Sequence, residues 1–382
     1  MTIPRQPAFC QSEFRRRWEG VRAAMELAGV DLLVTFSPHN VFYLTGMDSE
    51  NLFDYQCAVL GSDMDAPVLV IFEFELARAE NSVVVDDIRS YGTFDDPIAF
   101  TLEQLAGMSG RRIALDRSTL PVARYGSLVA GLEGYELTDA FGLVEGMRLV
   151  KSDPELDLME RAAALTDAGV AAAEAEIAEG VEDRVVAAAI VDAMYRAGSD
   201  TLCWGPIVAA GYRAGAAHST FNGHRIGRGE TVFLELTGEV SRYVSPLMRT
   251  VVVGEPSADM LRVEAAVTAA LEAIRTSARP GASARDVAAR GLAALESVLE
   301  GHIFHHYFGY PVGIGYPPSW IEALGFFIRA DNDRRLERGM AFHLPMSIRR
   351  YGEYGVNLSH TLVVEECGAR VLGSSPARLA VV

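Results

Sequence analysis

Residues 231–250 read TVFLELTGEVSRYVSPLMRT, two apolar, β-branched runs separated by a stretch holding Gly238, Ser241, Ser245 and Pro246. Such runs on either side of turn-forming residues predict a pair of strands. Glu235 breaks the apolar character of the first run. A carboxylate buried in a strand needs a partner, or it keeps its proton to a higher pH. Arg242 and Arg249 lie in the same stretch and are candidate partners. Eleven residues after Glu235 stands Pro246, whose side chain has no polar atom.

Working outward, GRGE at 227–230 reads as a tight turn into the first of these strands, while GMAFHLPM from 339 and HTLVVEE from 360 read as further strands. Long helices are interleaved with them. Ser152 and Glu155 have capping-box spacing, Pro154 suits a first turn, and the alanine-rich helix that follows is expected to reach about residue 179. Others are expected at 183–197, ending at Gly198, at 257–278, and at 283–299, opening on Ser283 and Asp286. Upstream, Phe14, Trp18, Val21 and Met25 recur at helical spacing before Gly29. The runs DLLVTF, CAVL, PVLVIF and RIAL then alternate with helical stretches such as DPIAFTLEQLAG. The chain is therefore expected to hold an N-terminal α/β domain, residues 1–150, and an α+β C-terminal domain, residues 151–382.

The formal net charge of −17 argues against nucleic acid or an anionic membrane as partner, since both would repel it. Four scattered cysteines, Cys10, Cys57, Cys203 and Cys367, form no CxxC pair and fit reduced thiols in a cytoplasm. No apolar run approaches the ~18–20 residues of a membrane span, and the N-terminus lacks a charged-then-apolar leader pattern. These features predict a soluble, cytoplasmic protein.

Five segments in order carry a resemblance. They are RxxKSxxE at 148–155, AHSTFNGHRIGRGETVFLELTG running into RYVSPLMRTVVVG, FGYPVGIGYPPSW, ERGMAFHLP, and VNLSHTLVVEECGARVL. Together they resemble the creatinase/aminopeptidase superfamily of pita-bread fold, and most of all its metal-independent branch, similar to ectoine hydrolase and creatinase. The resemblance covers nearly the whole chain and implies a creatinase/prolidase-type N-terminal domain. The dimetal members hold their ions with two Asp, one His and two Glu. Those positions fall here on Glu235, Pro246, Tyr310, Pro345 and Ser359. One good ligand in five implies no metal and no other cofactor.

The resemblance also implies the site. His218 matches a histidine that moves protons in creatinase, a task suited to a side chain whose unperturbed pKa is ~6.5. Glu235, Tyr310 and His360 are expected to act with it. Glu235 and His360 would position substrate or water, and Tyr310 would stabilise developing charge. Leu52, Phe53, Asp54, Trp320, Glu322 and His343 are expected to line the substrate pocket. His360 stands where ectoine-hydrolase-like chains carry a glutamate. The loop GMDSENLFDYQC is expected to reach the site of a partner subunit in a homodimer, with the N-terminal domain of one subunit closing the other's pocket. Creatinase grips a carboxylate with two arginines, whereas acids stand at or beside those places here, Asp54 and Glu322, which implies a cationic substrate. The expected activity is hydrolysis, or a related lyase or cyclase step, at a C–N bond of a small amidine, amide or cyclic amino-acid derivative. The rivals are a catalytically silent pita-bread domain that binds a peptide or protein and, more weakly, an Xaa-Pro-type metallo-aminopeptidase. His302, His305 and His306 read as surface or packing residues, His39 as a turn residue, and Arg15–Arg17 as a solvated helix face.

Overall fold

The computed structural model describes residues 7–49, 54–117, 119–322 and 325–382. The chain divides into two compact units, Met1–Arg148 and Leu149–Val382. In the first, helices α1 (Gln11–Ala28), α2 (Pro38–Thr45), α3 (Leu76–Ser82), α4 (Pro97–Ala106), α5 (Val122–Gly131) and α6 (Glu145–Leu149) accompany six strands. These are β1 (Leu32–Thr35), β2 (Cys57–Gly61), β3 (Val68–Phe72), β4 (Ile88–Tyr91), β5 (Arg112–Leu115) and β6 (Glu136–Asp139). They form one mixed sheet in the order β4-β3-β2-β1-β5-β6. The four apolar runs of the sequence became its central strands, β1, β2, β3 and β5. The two edges, β4 and β6, are half-buried and mostly exposed respectively, and neither carries an apolar run to betray it.

The second unit has four long helices, α7 (Asp153–Glu176), α8 (Asp183–Ala197), α9 (Ala258–Ser277) and α10 (Ala284–Leu299). The capping box forms as expected: Ser152 and Glu155 satisfy each other's backbone N–H groups at the start of α7. The helix ends at Glu176, three residues short of the expected 179. Strands β7 (Ile207–Ala210), β8 (Thr231–Leu236), β11 (Leu247–Val252) and β17 (Leu379–Val381) make a four-stranded sheet in the order β17-β11-β8-β7. Strands β9 (Glu239–Val240), β10 (Tyr243–Val244), β12 (Tyr310–Tyr316), β13 (Ser319–Ile321), β14 (Ala341–Arg350), β15 (Tyr354–Glu365) and β16 (Gly368–Val371) make the other sheet.

The link between β8 and β11 is itself a hairpin. Strands β9 and β10 pair across Ser241 and Arg242, both at positive φ, the geometry of a tight two-residue turn. Neither residue favours that backbone by itself. Asp200 accepts from the Ser241 N–H at 2.6 Å, and Arg242 pairs with Glu239 at 3.3 Å and lies over the Tyr316 ring.

Period-two alternation sorts the two sheets. Val232, Leu234, Leu236 and Val251 pack with Val170, Ile177, Val186 and Ile190 of the α7–α8 layer. Phe342, Leu344, Met346, Leu358 and Leu362 pack with Val263, Val267, Ile274 and Leu295 of the α9–α10 layer. The alternate residues, Phe233, Glu235 and Met248 on one sheet and His343, Ser347, Arg349, Asn357, Ser359 and Thr361 on the other, point away from both helical layers. Side chains stitch the sheets together there. Ser359 Oγ accepts from the Met248 N–H at 2.6 Å, Thr361 Oγ1 donates to the Pro246 carbonyl at 2.7 Å, and the Asn357 N–H donates to Thr250 Oγ1 at 2.9 Å. Among the described residues no helix is long and apolar enough to cross a membrane.

Candidate active site

Between those sheets lies one continuous hydrogen-bonded chain. Trp320 Nε1–H donates to the Tyr310 hydroxyl at 2.9 Å, which meets His343 Nδ1 at 2.6 Å. His343 Nε2 meets Ser359 Oγ at 2.8 Å. Strand register builds this arrangement, for Tyr310 sits opposite His343 across β12 and β14, and Pro345 opposite Ser359 across β14 and β15. His343 is fully buried, and burial, reinforced by the positive charge of Arg249, pushes its pKa down to about 3. The ring is therefore neutral, with one nitrogen donating and the other accepting. Burial and the nearby Glu235 carboxylate hold the Tyr310 phenol well above its ordinary value, so it keeps its proton.

Glu235 projects from β8 into the same region. It is 7% exposed, and among the described residues nothing hydrogen-bonds to it. Burial raises its pKa to about 7, against an opposing pull from Arg349. The two arginines that its own stretch offered are not its partners. Arg242 is taken by Glu239, while Arg249 donates to the carbonyls of Met248 and Ser359 at 2.7 and 2.9 Å. The cation that acts on Glu235 comes from β14.

Arg349 is buried, and its guanidinium lies 4.8 Å from the centre of the Phe233 ring, two residues before Glu235 on the same face of β8. Its Nη1 donates to the carbonyls of Ala214 (3.1 Å) and Ala216 (2.9 Å), fixing the segment that leads to His218. That segment fits closely against the β14–β15 hairpin. A Cβ on Gly355 would stand 2.3 Å from the Ala214 carbonyl oxygen, so only glycine allows the approach. His218 itself is exposed, with φ of 55°, an uncommon backbone for a residue with a side chain. His305 is likewise exposed.

The structure thus gathers Glu235, Tyr310, Trp320 and His343, with His218 on a loop tied to the same arginine. Two expected site residues are corrected. His360 is one residue from Ser359, so alternation turns it to the α9–α10 face, where Leu358 and Leu362 pack, while Arg249 of β11 and then Arg275 and Glu272 of α9 act on its charge. It does not join the Tyr310–His343 chain. Glu322 is not a free carboxylate for a substrate, because Lys151 Nζ lies 2.5 Å from its Oε2 and both side chains are 1% exposed. Leu52 and Phe53 lie outside the described residues. Asp54 is half-buried in the N-terminal unit, where its charge adds to burial in raising the Tyr91 phenol. His302, expected as a surface or packing residue, contacts Tyr354 at 2.9 Å and Asp259 at 3.4 Å.

Arg349 carries no motif that singles it out in the sequence. A period-two count from His343 through Pro345 and Ser347 reaches Arg349, so that signal was present.

At the positions that the resemblance assigns to dimetal ligands stand a carboxylate, two prolines, a phenol held between Trp320 and His343, and a serine already holding Met248 and His343. That donor set does not fit a dinuclear metal centre. Among the described residues no three His, Cys, Asp or Glu side chains are placed to hold a metal ion.

Fold and site define a pita-bread protein with a creatinase-type N-terminal unit. Residues 157–366 match metallopeptidase family M24 and residues 17–150 match the creatinase/prolidase N-terminal domain. The first match alone spans more than half of the chain, and the protein belongs to metallopeptidase family M24. It is 27% identical to the ectoine hydrolase of Halomonas elongata, across 97% of this chain and 98% of that one. To an Xaa-Pro dipeptidase of Pyrococcus horikoshii it is 25% identical, across 93% and 96% respectively. Dipeptidase PepE from Mycobacterium ulcerans superimposes with a TM-score of 0.85 at 27% identity, covering 98% of this chain and 99% of that one. X-Pro aminopeptidase from Thermotoga maritima shares the fold, with a TM-score of 0.84 at 18% identity and coverage of 96% and 99%. The protein is accordingly a hydrolase of the M24 family.

Proposed function

We propose that this chain hydrolyses a C–N bond of a small amidine, amide or cyclic amino-acid derivative without a metal ion, as a homodimer. The observation that carries the reading is Glu235, a buried carboxylate without a hydrogen bond among the described residues, set to change protonation near neutrality. A general base works best when its pKa lies near the working pH. Glu235 takes a proton from the water that attacks the unsaturated carbon. The electron pair pushed onto the substrate's heteroatom is met by the Tyr310 hydroxyl. The C–N bond then breaks as the departing nitrogen accepts a proton, from protonated Glu235 or from His218 at the rim.

The buried chain supports Tyr310 in that task. If Ser359 donates to His343 Nε2, then Nδ1–H donates to the phenolic oxygen, which also receives Trp320 Nε1–H. The hydroxyl hydrogen is then left for the substrate, and no member of the chain lacks a partner. A buried, pre-aimed donor of this kind stabilises charge more than one in water does.

Metal analysis together with mutant kinetics tests the reading. Purified protein is expected to carry less than ~0.2 equivalents of divalent metal and to keep its activity in chelator. His218→Ala and Glu235→Gln should each lose at least ~10²-fold in turnover while remaining folded. Stoichiometric metal in the C-terminal unit, or wild-type turnover in either variant, would sink the proposal.

A further inference from the structure

We infer that Arg349 is a specificity residue that binds a carboxylate on the substrate, beside the bond that is hydrolysed. This deepens the proposed hydrolytic reading and rests on it.

A guanidinium has five N–H donors. In Arg349, Nε–H is spent on Ser347 Oγ at 2.7 Å, and the hydrogens of Nη1 on the carbonyls of Ala214 and Ala216. Among the described residues Nη2 donates to nothing, yet it is not one of the fully buried polar atoms that lack a partner. It is therefore the edge of the group that solvent, or a ligand, can reach. Three bonds and the Phe233 ring hold the group in place, so a ligand would meet a donor already oriented.

Charge supplies the second argument. Arg349 is 8% exposed, and a buried cation ordinarily sits against an anion. Glu235 is the acid that acts on it electrostatically, but the two form no ion pair. A carboxylate from outside would complete the site by taking the two hydrogens of Nη2. Planar carboxylates suit guanidinium geometry, whereas a doubly charged phosphate would be repelled more strongly by Glu235. The assignment reverses the substrate charge that Asp54 and Glu322 implied, and Glu322 is in any case neutralised by Lys151. A substrate held this way carries its carboxylate at Arg349 and presents its reacting carbon toward Glu235 and Tyr310.

The test uses the whole protein with acetate as probe and acetamide as its uncharged counterpart, in titrations followed by calorimetry at pH 8.5. Acetate is expected to bind wild type at millimolar concentration, and acetamide at least ~10-fold more weakly. Arg349→Met should weaken acetate by ~10-fold or more, with Arg349→Lys in between. Glu235→Gln, which removes a repelling charge and leaves the Ala214 and Ala216 tethers alone, should tighten acetate several-fold. That last result holds even if Arg349→Met fails to fold. Equal acetate binding by wild type and folded Arg349→Met overturns the inference. So does no acetate binding by wild type and Glu235→Gln up to ~100 mM, far above the millimolar affinity expected of a weak anion site. Acetate binding that follows this pattern in a protein whose turnover survives Glu235→Gln would instead reject the hydrolytic role of Glu235 and leave the anion site standing.

Discussion

Glu235→Gln should stabilise the protein, and only above a definite pH. Burial raises this carboxyl from an ordinary value of 4.5 to about 7. Between those two values the unfolded chain has released a proton that the folded protein still holds. Stability therefore falls as pH rises through that window, and the contribution of this group is flat below 4.5 and above about 7. Each unit of that window costs about 1.4 kcal/mol, so the wild type gives up about 3 kcal/mol at pH 8 relative to pH 4 through this side chain. Glutamine has nearly the same shape and no charge, so it removes the pH-dependent part. Urea or guanidinium unfolding of both proteins across pH 4–8 measures the difference, and groups common to both, including neutral His343, cancel. Glu235→Gln should exceed wild type by about 3 kcal/mol at pH 8, with a gap that closes by about pH 4.5. A constant gap at both ends of the range, or a variant less stable at pH 8, refutes the claim that Glu235 is buried without adequate compensation.

Three further outcomes follow from particular contacts. Tyr310→Phe removes the acceptor of Trp320 Nε1–H and the partner of His343 Nδ1, so it should cost about 1–3 kcal/mol in denaturant unfolding and lower turnover by ~10²-fold. Lys151→Met strands the buried Glu322 charge and should cost about 3–5 kcal/mol, while Lys151→Met with Glu322→Leu recovers most of it; an additive double variant would contradict the pairing. Equal amounts of His218→Ala and Asp54→Ala chains, allowed to exchange subunits, should regain part of the activity if the loop around Asp54 serves a partner's site. No recovery in confirmed mixed dimers removes that role.

The sequence by itself determined the elements whose burial is written in local pattern. Ser152 with Glu155 fixed the start of α7, Gly29 and Gly198 fixed the ends of α1 and α8, and four apolar runs became the central strands of the N-terminal sheet. The prolines at two of the positions that the resemblance assigns to metal ligands were equally legible, since Pro246 and Pro345 have no side-chain donor atom in any fold. Strands with little apolar content stayed hidden. Strand β14 runs on through Ser347, Arg349 and Arg350, and β15 begins at Tyr354, well before the apolar run at 360. Their polar residues find partners in loops, in α9 and along the same sheet, as Arg349 does with Ala214 and Ala216, Arg350 with Asp259 and Ser347 with Asn357, so burial by pairing left no hydrophobic trace.

Tertiary structure alone decided which charges act on one another. Arg349 and Glu235 are over a hundred residues apart, and so are Met248 and Ser359, whose bond ties the two sheets together. The nearest candidates in sequence, Arg242 and Arg249, were drawn away by Glu239 and by backbone carbonyls. Proximity along a strand gives a side chain its face but not its partner. A partner is chosen by the packing of sheets and loops, whose geometry depends on every element between them.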